Sequence, residues 1–438
     1  LTRPVPWCFA NNPEWKQTRN IMRYRFIALA LCLLSGCKIA VSAGFDCSLT
    51  NLSPTEKTIC SNEYLSGLDS ALNNFFKKTY DSSLSRGRLV ERQKEWLKER
   101  NSCLEDVSCI TSSYLLRNRS LAASNNLRNV NDIFNREGDK LDEMLDGPIK
   151  TRSGFTITDS PWLVKKIFSS DSFDGGINFE KMYVSSVLTY QEIKGDLYIY
   201  ISVSGQYQGK NATLLVELVD GISPRIIQQY DGNVDIISRT RDAQGNALAY
   251  FSVRNDSHKE YHYLFITPDG GKGISDISSG QAEALNQETT PWTGYCGASE
   301  CNASSLSPDR KWRLASSDGY VKDPDEGMYV FPANRPDQGL NVFADKADNS
   351  ITDDIFGYSR KYVWGDDSNT FYFDNSGALG CIWKTDINQK TTKRIIPVEG
   401  ILEPFYINYD GEDLILSVYA YSYQGDSESE IYIAKEPN

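Results

Sequence analysis

Between residues 44 and 122 the apolar residues recur at helical spacing. Leu65, Leu68, Leu72 and Phe75 form one stripe, and Ile110, Tyr114, Arg117 and Leu121 another. A third runs Leu89, Gln93, Trp96, Arg100, Cys103, at intervals of four, three, four and three, which is one face of a helix. Ser53-Pro54-Thr55-Glu56 predicts a helix start: Ser53 caps, Pro54 suits the first turn, and Glu56 closes a capping box. From 120 to about 150 the chain stays polar and helix-like, and Gly147-Pro148 stops it. Beyond that point the period changes to two. DLYIYISVSG, ALAYFSV, EYHYLFI, GMYVFPA, NTFYFDNSG, LGCIWKTD, LILSVYAY and EIYIAK are short runs rich in Tyr, Ile, Val and Phe. Polar clusters such as Pro268-Asp269-Gly270-Gly271 separate them. The pattern predicts many short strands, as in a sandwich, barrel or propeller.

The start of the chain predicts export. Leu1 is not an initiator methionine, which points to Met22 as the start. Met22-Arg23-Tyr24-Arg25 is a basic opening and Phe26 to Leu34 an apolar run. That run is shorter than the ~20 apolar residues of a spanning helix and suits a signal peptide. Two cleavage sites compete. Leu34-Ser35-Gly36-Cys37 resembles a lipobox, which would leave Cys37 lipidated and the protein membrane-anchored in the periplasm. Val41-Ser42-Ala43 would instead release a soluble periplasmic chain. The lipobox is the more specific coincidence.

Seven cysteines follow the leader: Cys47, Cys60, Cys103, Cys109, Cys296, Cys301 and Cys381. An oxidising compartment favours their pairing, and the odd number leaves Cys381 over. The first four allow three connectivities. Joining Cys47 to Cys60 and Cys103 to Cys109 closes two short loops, and Cys296 with Cys301 staples a third. Zinc is disfavoured, because no C-x-x-C occurs.

The pieces FDCSLTNLSPTEKTIC, LDSALNNFFKKTY, RQKEWLKERNSC and Cys109 with YLLRNRSL resemble the LprI-like lysozyme-inhibitor domain, over residues 45 to about 121. All four of its cysteines and its tryptophan, here Trp96, are matched. The resemblance implies an exported helical module and, in some members, inhibition of lysozyme. Trp96 and Arg100 are a possible contact pair. At helical spacing beside leucines, the alternative is that they belong to the core and its rim.

In the β-rich remainder, Ser307-Pro308-Asp309-Arg310-Lys311-Trp312 and Trp364-Gly365-Asp366-Asp367-Ser368-Asn369 each give a polar turn before an outgoing strand. They weakly resemble TolB-type propeller repeats, with the turn glycine missing after Asp309. Roughly 290 residues at ~40–50 per blade predict about six blades. The expected organisation is a leader at 1–43, an LprI-like helical domain at 44–122, a helical linker at 123–150, and an all-β propeller-like domain at 151–438.

The formal net charge is −12. From 44 to 122, eleven Lys and Arg face ten Asp and Glu; from 123 onward, 29 face 47. The acidity therefore lies outside the inhibitor-like module. With no basic cluster after the leader, nucleic acid is excluded as a partner.

Few motifs for chemistry are present. The only two histidines, His258 and His262, form H-K-E-Y-H rather than H-E-x-x-H, and four strand residues span ~13 Å. No G-x-S-x-G, P-loop or G-x-G-x-x-G occurs. Asp323-Pro324-Asp325-Glu326-Gly327 reads as a solvated acidic turn rather than a calcium loop. Carboxylates are plentiful, but nothing in the sequence marks one pair for glycoside hydrolysis.

The expectation from sequence is therefore an exported envelope protein without catalytic residues, metal or cofactor. It would neutralise a toxic enzyme, such as a lysozyme or lipase, by stoichiometric binding. The alternatives are an immunity protein against an antibacterial effector and a propeller-type glycan hydrolase.

Overall fold

The computed structural model describes residues 43–122, 127–287, 306–316, 328–343 and 362–437. Within these, 136–138, 140, 142–143, 152, 170–171, 173–178, 208–209, 221, 256–257, 336–337, 375–380 and 424–425 are excepted. Cys37, Cys296, Cys301 and the acidic turn Asp323–Gly327 lie outside the described residues. The chain divides into two compact units. One holds residues 1–76 and 96–122; the other holds 77–95 and 123–438.

Four helices run through the N-terminal part: α1 (Pro54–Ser61), α2 (Glu63–Ser82), α3 (Arg86–Asn101) and α4 (Val107–Ala122). The capping box forms as its sequence dictates. The Glu56 amide donates to Ser53 Oγ at 3.3 Å, and the Ser53 amide to Glu56 Oε2 at 2.8 Å. Cys47 is bonded to Cys60 and Cys103 to Cys109. Ile59, Leu65, Leu72, Ile110, Tyr114 and Leu121 are buried. The unit boundary falls inside α2 and α3, so residues 77–95 belong with the β-rich unit rather than with the helical one.

The described residues of 127–150 do not form the expected helical linker. The described part holds one short helix, α5 (Val130–Ile133), and isolated bridges from Arg128 to Val164 and from Leu141 to Val398. Val130 and Phe134 pack into the β core, so tertiary burial overrides the helix-like polarity of this stretch.

The β-rich unit opens with β1 (Ile149–Lys150), β2 (Thr156–Asp159) and β3 (Leu163–Phe168). Four antiparallel strands form the first sheet: β4 (Phe179–Ile193), β5 (Asp196–Tyr207), β6 (Lys210–Val219) and β7 (Ile222–Tyr230). The second holds β8 (Asn233–Arg241), β9 (Ala247–Arg254), β10 (Lys259–Ile266) and β11 (Lys272–Asp276). After helix α6 (Ser279–Gln287) comes the third, with β12 (Trp312–Ser316), β13 (Met328–Pro332) and β14 (Leu340–Phe343). The fourth holds β15 (Tyr362–Trp364), β16 (Thr370–Asp374), β17 (Ile382–Asp386) and β18 (Thr391–Ile396), extended by β2 parallel to β18 and then β1. The fifth holds β19 (Ile401–Tyr409), β20 (Glu412–Tyr423) and β21 (Asp426–Lys435), with β3 on the outer side of β21. Among the described residues, each of the eight runs read as strands contains one. Among the described residues there are five sheets, none closed into a barrel, against an expectation of about six blades.

Four cores hold the sheets together, each filling the gap between two neighbours. Val330 and Phe343 of the third sheet meet Phe373 and Trp383 of the fourth. Tyr372 and Ile395 of the fourth meet Ile415 and Tyr432 of the fifth. Leu416 and Ile433 of the fifth meet Ile199 and Val216 of the first. Leu188 and Leu215 of the first meet Phe251 and Leu264 of the second. Strands such as β13 and β16 bury side chains on both faces, which explains their near-continuous apolar runs. No described helix is long and apolar enough to cross a membrane.

Candidate active site

Trp96 and Arg100 are core rather than surface. Their residues are 8% and 3% exposed. Arg100 Nη1 donates to the Tyr114 hydroxyl at 2.8 Å, which donates to Asp69 Oδ1 at 2.6 Å. The Trp96 ring meets the Tyr114 ring edge-on at 5.2 Å, and the Arg100 guanidinium sits 5.5 Å from the Trp96 ring centre. This buried, satisfied network offers no partner a contact, so the contact reading of the pair is corrected. Cys381 is buried and lies outside any disulfide. His262 Nδ1 lies 2.8 Å from Asp276 Oδ1, and His258 Nε2 lies 2.9 Å from Glu260 Oε1. Among the described residues, no three His, Cys, Asp or Glu side chains are placed to hold a metal ion.

A cleft of about 640 Å³ opens beside the β4–β5, β6–β7 and β10–β11 turns. Its carboxylates are already engaged. Glu217 accepts from the Tyr200 hydroxyl at 2.9 Å and pairs with Lys272 and with Arg225 Nε at 3.3 Å. Asp196 pairs with Arg88 Nε at 2.7 Å. With both carboxylates tied to cations, this cleft is not the best place for acid–base chemistry.

A different pair of carboxyls, Asp366 and Asp413, makes no ion pair with any described residue. Asp366 and Asp367 lie in the turn between β15 and β16. Asp367 organises that turn: Oδ1 accepts from the amides of Asn369 at 2.9 Å and Thr370 at 2.7 Å, and Oδ2 from Thr370 Oγ1 at 2.8 Å. With Asp367 so occupied, Asp366 is left exposed, with no hydrogen bond or ion pair to any described residue. Asp413 is the second residue of β20, just after the hairpin at Gly411, whose φ of +74° suits glycine. Asp413 Oδ1 accepts from the Tyr406 hydroxyl at 2.6 Å. Tyr406 stacks on Tyr372, with ring centres 5.9 Å apart. The Tyr372 hydroxyl is buried and has no hydrogen-bond partner among the described residues.

Electrostatics separate these groups. Loss of hydration raises the Asp366 pKa above the ordinary carboxyl range, and repulsion from Asp413 adds to this. Arg241 acts in the opposite sense. Burial raises Tyr406 too, and its bond to Asp413 reinforces that, so the phenol stays protonated and remains a donor. The surroundings come from several sheets. Arg241 of β8 lies 4.6 Å from the Tyr190 ring centre of β4, and its Nη1 donates to Gln191 Oε1 at 2.6 Å. The Asn408 amide of β19 donates to the Tyr190 hydroxyl at 3.2 Å. A carboxyl raised in this way can serve as an acid beside a second carboxyl that serves as a base. In the sequence, Trp364 to Phe373 reads only as a repeat turn. Its one usable signal was the Asp-Asp doublet, where a turn needs only one aspartate.

The chain matches no known family profile and no curated protein. Among solved structures it is similar to a glycoside hydrolase at 11% identity, covering 64% of this chain and 92% of that one, with a TM-score of 0.30. It is also similar to the catalytic domain of the Coprinopsis cinerea GH62 α-L-arabinofuranosidase, at 10% identity, 64% and 98% coverage and a TM-score of 0.28. The α-L-arabinofuranosidase PaAbf62A of Podospora anserina gives 11%, 64%, 99% and 0.29. At these scores no residue and no substrate is carried over. The expectation of a non-enzyme that neutralises a toxic enzyme by binding is nevertheless corrected: these similar structures are named as glycoside hydrolases, not as inhibitors or immunity proteins.

Proposed function

We propose that the chain is a glycan hydrolase on a five-bladed propeller, with Asp366 as general acid and Asp413 as general base. The observation that carries this is the Asp366 carboxyl, exposed and unpaired, beside an Asp413 held by Tyr406. In the reaction Asp366 gives its proton to the glycosidic oxygen as the bond to the anomeric carbon breaks. Asp413 takes a proton from the water that attacks that carbon, and proton exchange with solvent resets both groups. The propeller reading is supported by the succession of sheets packed third to fourth, fourth to fifth, fifth to first and first to second, and by β3 completing the last one. Asp366→Asn and Asp413→Asn should each lower kcat on a cleaved polysaccharide at least a thousandfold while leaving binding intact. Full turnover in either variant would sink the assignment.

The same reading makes the protein an exported one with an LprI-like helical module, which the four helices and two disulfides support. Lipidation at Cys37 belongs to it. Fractionation of producing cells, with mass analysis of the mature N-terminus, tests both: a chain recovered reduced from the cytosol would overturn export.

A further inference from the structure

Arg239 of β8 is accessible to solvent and sits where strands of three sheets meet. Three strands hold it, each the first of its sheet. Its Nε donates to the Val187 and Leu188 carbonyls of β4 at 3.0 and 3.2 Å, and Nη2 donates to Val187 at 2.6 Å. Its guanidinium carbon lies 5.3 Å from the centre of the Phe405 ring of β19. It makes no ion pair with any described residue, and its Nη1 makes no hydrogen bond with one. Burial lowers its pKa to about 10, with Glu403 acting in the opposite sense. Two backbone carbonyls take its Nε and one edge of Nη2, and Nη1 keeps its donors for a further acceptor. The edge that remains carries the donor fork that fits a carboxylate.

We infer that Arg239 anchors a binding site for a carboxylate, and that the natural ligand is a glycan carrying uronic acid. The second clause rests on the hydrolase reading; the first does not. Arg241 lies two residues further along the same face of β8, a step of about 6.7 Å, and its charge reaches Asp366. A sugar ring whose carboxylate is held at Arg239 would thus extend towards the carboxyl pair.

The test is calorimetric titration of the full chain with sodium glucuronate, sodium acetate and glucose at fixed ionic strength. Glucuronate should bind and glucose should not. Arg239→Lys, which keeps the charge but loses the fork, should weaken glucuronate at least tenfold, and Arg239→Gln should abolish binding, with melting curves checking the fold. Should Arg239→Gln fail to fold, the lysine variant carries the test. Acetate binding as tightly as glucuronate would uphold the carboxylate site and overturn its assignment to a sugar. Equal response to glucuronate and glucose, or undiminished affinity in the lysine variant, would overturn the site itself. Asp366→Asn should keep glucuronate affinity, so a failure of hydrolysis and a failure of this site read out separately.

Discussion

The Tyr406 hydroxyl donates to Asp413 Oδ1 over 2.6 Å, and no described residue makes a comparable bond to Asp366. One carboxylate of the pair is oriented and the other is left to change its protonation. Tyr406→Phe removes only the oxygen. A hydrogen bond to a charged group contributes about 1.5–3 kcal/mol, so turnover should fall roughly tenfold to a hundredfold. The melting temperature should hardly change. Unchanged kinetics would separate Tyr406 from the chemistry.

The Asp366 pKa is raised in the folded chain, by lost hydration and then by Asp413. A carboxyl raised on folding contributes stability below its unfolded pKa, and that contribution is lost as pH rises through the folded value. Ionised Asp366 therefore weakens the fold at neutral pH. Asp366→Asn should raise the urea midpoint at pH 7 and leave it unchanged at pH 3. The activity of the native chain should fall as pH rises through the same range, because the acid loses its proton. A variant less stable than the parent at pH 7 would contradict the direction.

Arg394 and Asp159 form a nearly inaccessible pair, with Nε 2.6 Å from Oδ1 and Nη2 3.1 Å from Oδ2. It ties β2 to β18 where the two run parallel. Removing one partner strands a buried charge, at a cost of about 3–5 kcal/mol. Asp159→Ala should show that loss in chemical denaturation. Replacing both residues by apolar ones should cost less than the single change, and equal costs would refute the argument.

Gly87 sits where its amide donates to the Gly195 carbonyl at 2.8 Å. A Cβ there would fall 2.0 Å from the Lys194 carbonyl oxygen, which belongs to backbone and cannot swing away. Gly87→Ala should therefore displace the β4–β5 turn and destabilise by about 1–3 kcal/mol. It should also loosen the Arg88–Asp196 ion pair at that turn. A neutral effect on the denaturation midpoint would mean the turn is free to move.

The helices, their capping box and the local cysteine pairs were legible because their determinants lie within a few residues of one another. The strands were legible from period two. The two repeat turns were visible as well, but not that they touch: the Asp309 amide donates to Ser368 Oγ at 3.0 Å. Arg310 takes the missing glycine's place there, at a φ of +62°. The polar stretch after residue 122 misled, because Val130 and Phe134 find burial against strands far along the chain. The carboxyl pair was hidden for a similar reason. Asp366 and Asp413 come from different sheets, and only the folded chain shows that Asp367 is consumed by its turn while Asp366 is spare. Arg239 and Arg241 left a trace, as alternate positions of one strand, but the sequence does not show what faces them.

Strands β3 and β21 lie edge to edge although Lys166 and Glu430, an ion pair between them, are 264 positions apart. During synthesis, β3 keeps an open edge until β21, 264 positions further on at that ion pair, has been made. Such an edge can recruit any passing strand. Production of this protein should therefore depend on helpers that shield unfinished sheets, and slow or interrupted translation should favour clumping over completion.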